Sequence, residues 1–272
     1  IDKKKNDYDL QSLNKIVKNA GIKIFREYKT NWGGFSLVKC EMFLLEQAFQ
    51  SGKYNYYHLL SGADLPVKKH EEIMRFFDTN QGYEFVQFSD CKFRKNIKEY
   101  SRRITLYHFL QEYRRISDNI IITKMLRYIA KVLLGIQVIL RINRMKNNPF
   151  ELKYGSQWFS ITEESVDLLL KRKDTIYDMF RFTMCPDEFV IQTMLYNSDR
   201  KEYLYQYKEL DREEGNVRGI HWPVAENSSH PQTWTIKDFD YLMNSEFIFA
   251  RKFEETEDRD IIDKLFYSLK DE

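Results

Sequence analysis

Two charged strings occur where the sequence predicts a buried strand and a helix start, and together they could perform a group transfer. Arg251-Lys252 interrupts the apolar run from Phe247 to Phe253, although a core strand excludes charge unless the charge is paired or takes part in chemistry. Pro186-Asp187-Glu188 supplies carboxylates. Cations can hold a departing anion and a carboxylate can accept a proton, which indicates a leaving-group clamp and a general base. The alternative for the cations is a strand end with solvated side chains.

Other strings accompany these two along the chain. They are Asp2-Lys3, Trp32-Gly-Gly34, Ser61-Gly-Ala-Asp-Leu-Pro66 and Gly155-Ser-Gln-Trp158. With Pro-Asp-Glu and Phe-Ala-Arg-Lys-Phe, and in this order, they resemble the core-2/I-branching N-acetylglucosaminyltransferases and the related peptide O-xylosyltransferases. The resemblance runs from Asp2 to about Lys264. In the family a complete strand-helix unit precedes the Asp-Lys, so we expect such a unit upstream of this chain.

The resemblance implies a GT-A-like nucleotide-sugar transferase fold, a UDP-sugar donor and an inverting displacement. Glu188 would be the catalytic base that deprotonates the acceptor hydroxyl, and a helix N-terminus tends to keep such a carboxylate ionised. The nucleotide-binding residues implied are Asp2, Lys4, Trp32, Arg251 and Lys252. The residues implied for the sugar or acceptor are Ser156 and Trp158. Asp64 is a further candidate for this site, because its turn follows a predicted strand and ligands bind beyond the carboxyl ends of strands in α/β sheets.

Simpler interpretations exist for several of these residues. Asp64 stands close before Pro66, where an Asp often hydrogen-bonds its own turn backbone. Trp158 could belong to the core as readily as to a sugar cleft. Pro186-Asp187-Glu188 also fits an ordinary helix start, with Pro in the first turn and acids at the positive end of the dipole. Gln157 departs from both branches of the family, so the sequence does not name the donor sugar.

A metal site is not expected. Many sugar-nucleotide enzymes hold a metal with Asp-x-Asp, and the strings of this kind here are Asp238-Phe-Asp240 and Asp258-Arg-Asp260. Both stand at predicted helix starts, where acids favour the helix dipole and cap the chain. We therefore expect no cofactor and no metal, and assign the leaving-group charge to Arg251 as a bidentate fork and Lys252 as a point charge.

Hydrophobic periodicity predicts alternating strands and helices. Strands are expected near Ile22–Phe25, 54–60, 83–88, 158–161 and 217–222, and helices near 35–50, 71–77, 163–171, 187–196, 238–243 and 260–269. Such alternation implies crossover connections and a mostly parallel central sheet flanked by helices, which is the α/β class. No linker rich in Pro, Gly or Ser divides the chain, so residues 1–272 are predicted to form a single domain.

The segment from Asn119 to Phe150 contains no acidic residue, and its cations stand among many aliphatic residues. It predicts a basic, apolar helical insertion over 119–150, with its helix from about Lys124 to Met145. Lys124, Arg127 and Lys131 fall on one face and leave the opposite face apolar. Peripheral membrane contact through 124–145 is one interpretation, and a buried helix with a basic rim is the other.

Composition limits the classes of partner and the cellular compartment that the sequence allows. Lys+Arg number 43 against 41 Asp+Glu, so no basic excess indicates a nucleic acid partner. Three scattered cysteines without a C-x-x-C pair favour a reducing compartment over a disulfide framework. We expect a cytoplasmic protein, peripheral at the inner face of the membrane, whose acceptor is a carbohydrate or a lipid-linked glycan. The alternative is a non-catalytic, membrane-apposed binding protein on the same scaffold.

Overall fold

The computed structural model describes residues 1–5, 15–17, 20–89, 97–113, 120–206, 215–222 and 231–270. The chain divides into two compact units, each assembled from separated stretches of sequence. The first unit comprises Ile1–Ser51, Asn96–Pro149 and Leu169–Val190, and the second comprises Gly52–Lys95, Phe150–Leu168 and Ile191–Glu272. The single domain expected over 1–272 stays a prediction.

Helices and strands alternate irregularly along the described chain. The helices are α1 (Phe35–Ser51), α2 (His70–Thr79), α3 (Ile97–Thr105), α4 (Ile120–Ile139), α5 (Glu163–Lys171), α6 (Lys173–Phe180), α7 (Val190–Tyr196), α8 (Phe239–Asn244) and α9 (Arg259–Leu269). The strands are β1 (Tyr56–His58), β2 (Asp64–Pro66), β3 (Phe85–Phe88), β4 (Gly155–Thr162), β5 (Arg218–Ile220) and β6 (Phe249–Arg251). Short 3-10 turns include Gln111–Tyr113 and Pro186–Glu188.

All the regular secondary structure that is described in the first unit is helical, and α1 packs through one apolar face. Residues at helical spacing on one face of α1 are buried, namely Phe35, Val38, Met42 and Leu45. Phe35 meets Tyr177 of α6 edge to face, with ring centroids 5.2 Å apart, a favoured aromatic geometry. Lys173 and Glu46 form an ion pair at 2.7 Å. This packing fixes α1 against the segment that leads to Pro186–Glu188.

The second unit contains all the described strands, in two small sheets. One sheet has the order β1-β4-β3 and the other the order β2-β6-β5. The second sheet covers an apolar cluster that includes Trp234, Leu242, Phe253, Ile261 and Leu265. The amphipathic α9 contributes the last two of these residues, and Asp258 caps its start by accepting from Ile261 N at 3.1 Å.

The strand pairing does not confirm the mostly parallel sheet that alternation predicted. β4 pairs antiparallel with β1 and with β3, β2 pairs antiparallel with β6, and the parallel pair in the described chain is β5 with β6. Alternation predicts which segments are strands, but not which strands become neighbours. Here the eight-residue β4 takes two earlier strands as partners, one along each edge, so that backbone groups on both edges are paired.

Most predicted elements are present, with some corrections. The strand expected at Ile22–Phe25 is not formed, since this segment is extended without a ladder in the described chain; Phe25 O instead accepts the amino terminus of Ile1 at 2.8 Å. The helix expected over 187–196 is a 3-10 turn followed by α7, which begins at Val190.

The basic apolar helix begins and ends earlier than predicted. It ends at Ile139, because Arg141 adopts a left-handed conformation with φ of 53° and Ile142 N donates back to Gln137 O at 2.9 Å. This is a common way for a helix to terminate. Residues 140–145 therefore lie beyond the helix. Ile136 and Leu140 are exposed, so the interpretation as a buried helix with a basic rim does not hold at these two positions.

Candidate active site

The turn that carries Glu188 is held by the Trp-Gly-Gly loop and by α3. Cys185 N donates to Gly33 O and Met184 N donates to Arg103 O, both at 3.0 Å. Gly33 has φ of 73°, and a Cβ there would lie 2.5 Å from Met184 Cε, so this position requires glycine. The Trp-Gly-Gly string is thus in backbone contact with Cys185, the residue that precedes Pro-Asp-Glu.

Glu188 is partly exposed and forms an ion pair. Arg103 Nη1 donates to Glu188 Oε2 at 2.9 Å, and the side chain of Glu188 is 29% accessible. The Arg103 guanidinium also lies over the Tyr100 ring, 4.7 Å from its centroid. A bond from a stacked guanidinium fixes the direction of the carboxylate. One carboxylate oxygen is therefore oriented by the protein while the group stays accessible to a substrate.

Asp187 has the opposite surroundings to its neighbour. Its side chain is buried, and within the described chain no hydrogen-bond partner reaches its Oδ1. Burial, and then the nearby Glu188 charge, raise the pKa of Asp187 to about 7. Glu41 of α1 is also buried, and burial followed by the Asp187 charge raises its pKa well above the usual range. Asp187 and Glu41 are therefore harder to ionise than ordinary carboxyls.

The residues expected near the nucleotide base form one hydrogen-bonded cluster in the first unit. Thr30 Oγ1 donates to Asp2 Oδ2 at 2.6 Å, and Lys4 Nζ donates to Asn31 Oδ1 at 3.3 Å. Burial opposes the ionisation of Asp2, but the bond from Thr30 and those that follow it outweigh burial, and the pKa of Asp2 is lowered. Trp32 follows in this loop with its side chain exposed, where a flat ligand could stack on it.

An acid that the sequence analysis did not single out holds this loop. Glu112 accepts from Ser36 N and Ser36 Oγ at 2.7 Å each, and from Asn31 Nδ2 at 3.1 Å. Because one carboxylate bonds both ends of the Asn31–Ser36 loop, Trp32 is presented from a fixed backbone.

In the second unit, Arg251 lies at the end of β6 and is stacked on Trp158. Its guanidinium carbon is 4.0 Å from the Trp158 ring centroid, and its Nη1 is 3.6 Å from Asp64 Oδ2. Arg251 Nη1 is buried and has no hydrogen-bond partner in the described part of the chain. A guanidinium held by stacking and by a neighbouring charge keeps its in-plane donors available for an anion.

Register explains how Asp64 comes to face this cation. Asp64 pairs with Arg251 across the β2–β6 ladder. Asp64 Oδ2 accepts from Ser61 N at 2.6 Å and from the Ser61 hydroxyl, as the turn interpretation predicted. Its side chain is fully buried, and Oδ1 has no hydrogen-bond partner among the described residues. The turn bond and the charge pairing therefore occur together, and a contact from Asp64 to a sugar stays a prediction.

Lys252 lies in different surroundings from Arg251. β6 ends at Arg251, so the strand does end where both side chains were expected to approach one ligand. The Lys252 ammonium, however, forms an ion pair with Glu254 at 2.6 Å. The structure thus provides a half-buried Arg251 that is stacked on Trp158 and a more accessible Lys252 that is paired with Glu254, so the two members of the predicted clamp are unequal.

The Gly-Ser-x-Trp string positions Trp158 through backbone contacts. A Cβ at Gly155 would overlap the carbonyl of Gln87 on β3, so β3 and β4 approach closely only with glycine. Ser156 N donates to Gln87 Oε1 at 2.8 Å, and Gln192 Nε2 donates to Ser156 O at 2.6 Å. Ser156 therefore fixes β4 locally, and its contact with a sugar stays a prediction.

Arg218 was missed by the sequence analysis. It is fully buried on β5 and donates to Asn216 O at 2.7 Å, Phe159 O at 2.5 Å and Ser160 Oγ at 3.1 Å. Burial is the main cause that lowers the pKa of Arg218, to about 9. The Asp64 charge acts to raise this pKa, and the Arg251 charge lowers it further. A cation within the apolar strand Val217–Ile220 is the same signal that singled out Arg251, and it could have identified this residue too.

In the Asp-x-Asp strings, Asp258 caps the start of α9, and Asp238 completes the capping box of the 3-10 turn Ile236–Asp238. Asp238 accepts from Thr235 N at 2.9 Å, and Asp258 accepts from Ile236 N at 2.9 Å. Bonds from the Ile236 and Ile261 backbone lower the pKa of Asp258. Within the described ranges, no group of three or more His, Cys, Asp or Glu side chains is arranged to hold a metal ion. Metal independence itself stays a prediction.

Comparison with known families decides the class of the protein. The model of the family described as Branch, Core-2/I-Branching enzyme, matches residues 1–243. The chain belongs to the Core-2/I-Branching enzyme family. This family consists of glycosyltransferases, so the family suggested by the ordered motifs is confirmed. No curated protein matches the chain in the comparison made. In this member of the Core-2/I-Branching family, the match covers Glu188 and Arg218 but ends before Arg251.

Proposed function

We propose that the chain is an inverting, metal-independent glycosyltransferase that moves a sugar from a UDP-sugar to a carbohydrate hydroxyl, in the synthesis of a surface polysaccharide or glycoconjugate. Family membership supports sugar transfer in general. The observation that carries the mechanism is the Glu188 carboxylate, which is accessible, oriented by Arg103 at 2.9 Å and adjacent to a carboxyl of raised pKa. Such a carboxylate suits a general base.

The proposed step is a single displacement. Glu188 takes the proton of the acceptor hydroxyl while the hydroxyl oxygen forms a bond to the anomeric carbon. The bond from that carbon to the β-phosphate oxygen breaks, and its electron pair leaves with UDP. Attack from the side opposite the nucleotide inverts the anomeric configuration. Arg103 keeps the base in place and stabilises its ionised form until the proton arrives.

The leaving UDP gains negative charge, and we assign Arg251 and Lys252 to it. Arg251 has a buried donor without a hydrogen-bond partner in the described residues, which supports the assignment since buried donors are normally satisfied. Asp2, Lys4 and Trp32 are assigned to the nucleotide, and Ser156, Trp158 and Asp64 to the sugar or acceptor. No metal is required in this scheme, because fixed cations supply the compensation that a metal gives elsewhere.

The acceptor is proposed to be a carbohydrate or a lipid-linked glycan, handled by a cytoplasmic enzyme at the inner face of the membrane. Cys40 and Cys185 are thiols in the structure, which fits a reducing compartment. The structure contains no helix that could span a bilayer within the residues it describes.

The second candidate, a non-catalytic binding protein on the same scaffold, is separable by experiment. UDP is expected to raise the melting temperature of the chain with EDTA present, and a panel of UDP-sugars with oligosaccharide acceptors is expected to give transfer. Proton NMR of the fresh product would then show an anomeric configuration opposite to that of the donor.

The outcomes of this experiment distinguish the transferase from the binding protein and test the proposed mechanism. Protection by UDP without turnover on any donor would favour the binding protein. Retention of configuration, or activity that EDTA abolishes and manganese restores, would overturn the proposed mechanism.

A further inference from the structure

Helix α4 presents an apolar stripe to solvent. Met125, Tyr128, Val132, Ile136 and Ile139 are spaced by three or four residues, so they lie along one face of the helix. Their exposed fractions range from 43% for Val132 to 81% for Ile139. We call these five residues the outward stripe. Exposed apolar patches of this kind mark interaction surfaces.

A different face of the same helix is turned toward the protein. Its residues are buried or half-buried, namely Leu126, Ala130, Leu133, Leu134 and Gln137. Gln137 Oε1 accepts from Tyr107 N at 2.7 Å and Gln137 Nε2 donates to Tyr107 O at 3.0 Å. These paired bonds fix the rotation of α4, so the outward stripe does not turn into the core.

The segment after the helix fixes its end. Arg144 donates to Leu106 O at 3.2 Å and to Met179 O at 2.6 Å, and also bonds the Thr183 hydroxyl. Burial lowers the pKa of Arg144 to about 10, and the charge interaction with Tyr107 acts in the opposite direction. Arg144 is thus used internally, while the cations on α4 itself are exposed.

Charge selects the occupant of the stripe. Lys124, Arg127 and Lys131 form an exposed basic edge beside it, and no acidic residue occurs between Asn119 and Phe150. A second copy of this chain would bring like charges together across the contact. An anionic lipid surface satisfies both features, since apolar side chains enter the acyl boundary while cations stay among the headgroups.

We propose that the outward stripe and its basic edge form a docking surface for an anionic bilayer, with α4 lying in the membrane plane. Tyr128 in the stripe suits this depth, because its ring is apolar and its hydroxyl is polar. The inference rests on the peripheral location in the proposed function but not on its chemistry. It would bring the enzyme to lipid-borne acceptors.

The test is flotation of the whole chain with vesicles of phosphatidylcholine alone or mixed with phosphatidylglycerol. We expect binding to the mixed vesicles only, and a loss of about tenfold or more when salt is raised from about 0.1 M to 1 M. Val132→Gln with Ile136→Gln is expected to weaken binding by about tenfold or more. The melting temperature of that variant should be close to the parent's, because both positions are exposed.

Phe266→Gln is the matched control, since Phe266 is an exposed apolar residue on α9. It should bind the mixed vesicles as the parent does. Equal binding of the stripe variant and the parent, no binding by the parent, or a dimer that the stripe variant dissociates would each overturn the proposal. Failure of transfer in a chain that still binds vesicles would instead count against the transferase chemistry alone.

Discussion

At the residue scale, the turn at Pro186–Glu188 shows how one short string provides two carboxyls with different properties. Asp187 is buried, whereas Glu188 is partly exposed and paired with Arg103. Sequence reasoning selected Glu188 through the family resemblance. The structure shows that Asp187 is buried and that its pKa is raised to about 7, by burial first and the Glu188 charge second.

Glu188→Gln should lower transfer by a factor of about a hundred or more while the affinity for UDP changes little, because the shape is kept and only the base is lost. Steady-state transfer and a UDP titration measure the two effects. Glu255→Gln is the matched control, since Glu255 is an exposed acid paired with Arg259. Equal turnover in the Glu188 variant and the parent would refute the assignment.

Arg251→Ala should weaken UDP binding by about tenfold or more, because it removes a charge-assisted contact. Lys252→Ala should weaken it less, since the Lys252 ammonium already pairs with Glu254 at 2.6 Å. Isothermal titration with UDP measures both. Arg259→Ala, at an exposed cation on α9, should have no effect. A larger loss in the Lys252 variant than in the Arg251 variant would reverse the proposed order within the clamp.

At the element scale, the β3–β4 pair determines where Trp158 lies. A Cβ at Gly155 would meet the Gln87 carbonyl, and the register of this pair shifts between Val86 and Phe88. The shift leaves Gln87 to bond Ser156. Motif residues that were candidates for sugar binding thus have a structural role as well. Their spacing along the chain could not distinguish the structural role from the binding role.

Gly155→Ala should lower the free energy of unfolding by about 2 kcal/mol or more, because the added methyl group must displace backbone. Gly135 on α4 offers a matched control, since nothing lies within 4 Å of a Cβ placed there. Gly135→Ala should raise stability by about 0.5 to 1 kcal/mol through helix propensity. Urea unfolding measures both changes, and a Gly155→Ala protein as stable as the parent would contradict the close approach.

At the scale of the whole molecule, each unit carries part of the predicted set. Glu188, Asp2, Lys4 and Trp32 belong to the first unit, and Arg251, Lys252, Asp64, Ser156 and Trp158 belong to the second. Within each unit, the structure brings several of these residues into contact. The buried Glu41 and Asp187 pair also links global stability to pH, because both pKa values are raised in the folded state.

A carboxyl whose folded pKa is raised contributes stability that is present below its unfolded pKa and is lost as pH rises through the folded pKa. For Asp187 this loss runs from its usual value of 3.8 to about 7. The parent should therefore be more stable at about pH 5 than at about pH 8, by an amount on the order of 1 kcal/mol or more. Melting curves at the two pH values measure this.

Asp187→Asn should reduce that difference, because the amide cannot ionise in the buried position. Glu41 titrates in the same direction, while Glu188 and Arg103 are the charges that act on Asp187. A variant with the same pH dependence as the parent would show that Asp187 is not the source.

Much of the element content could be predicted from sequence, because helical spacing and apolar strands are local patterns. α1, α2 and α9 lie close to their predicted ranges. Asp258 caps α9 as expected, whereas Asp238 completes the capping box of the 3-10 turn that precedes α8. The strand at Ile22–Phe25 and the end of α4 were wrong, because the first depends on a partner strand and the second on the backbone of Arg141.

The sequence by itself determined the family, through the order of its motifs. It also showed that Arg251 is a charge in an apolar strand, which a core tolerates only when the charge is paired or takes part in chemistry. Only the tertiary structure decided which partners those charges have. Asp64 faces Arg251 because β2 pairs with β6 in one register, and Arg218 is buried on β5, the other strand that pairs with β6. In the first unit, Arg103 reaches Glu188 from α3. Spacing along a chain determines the face on which a residue lies, whereas burial and pairing depend on segments far apart in sequence.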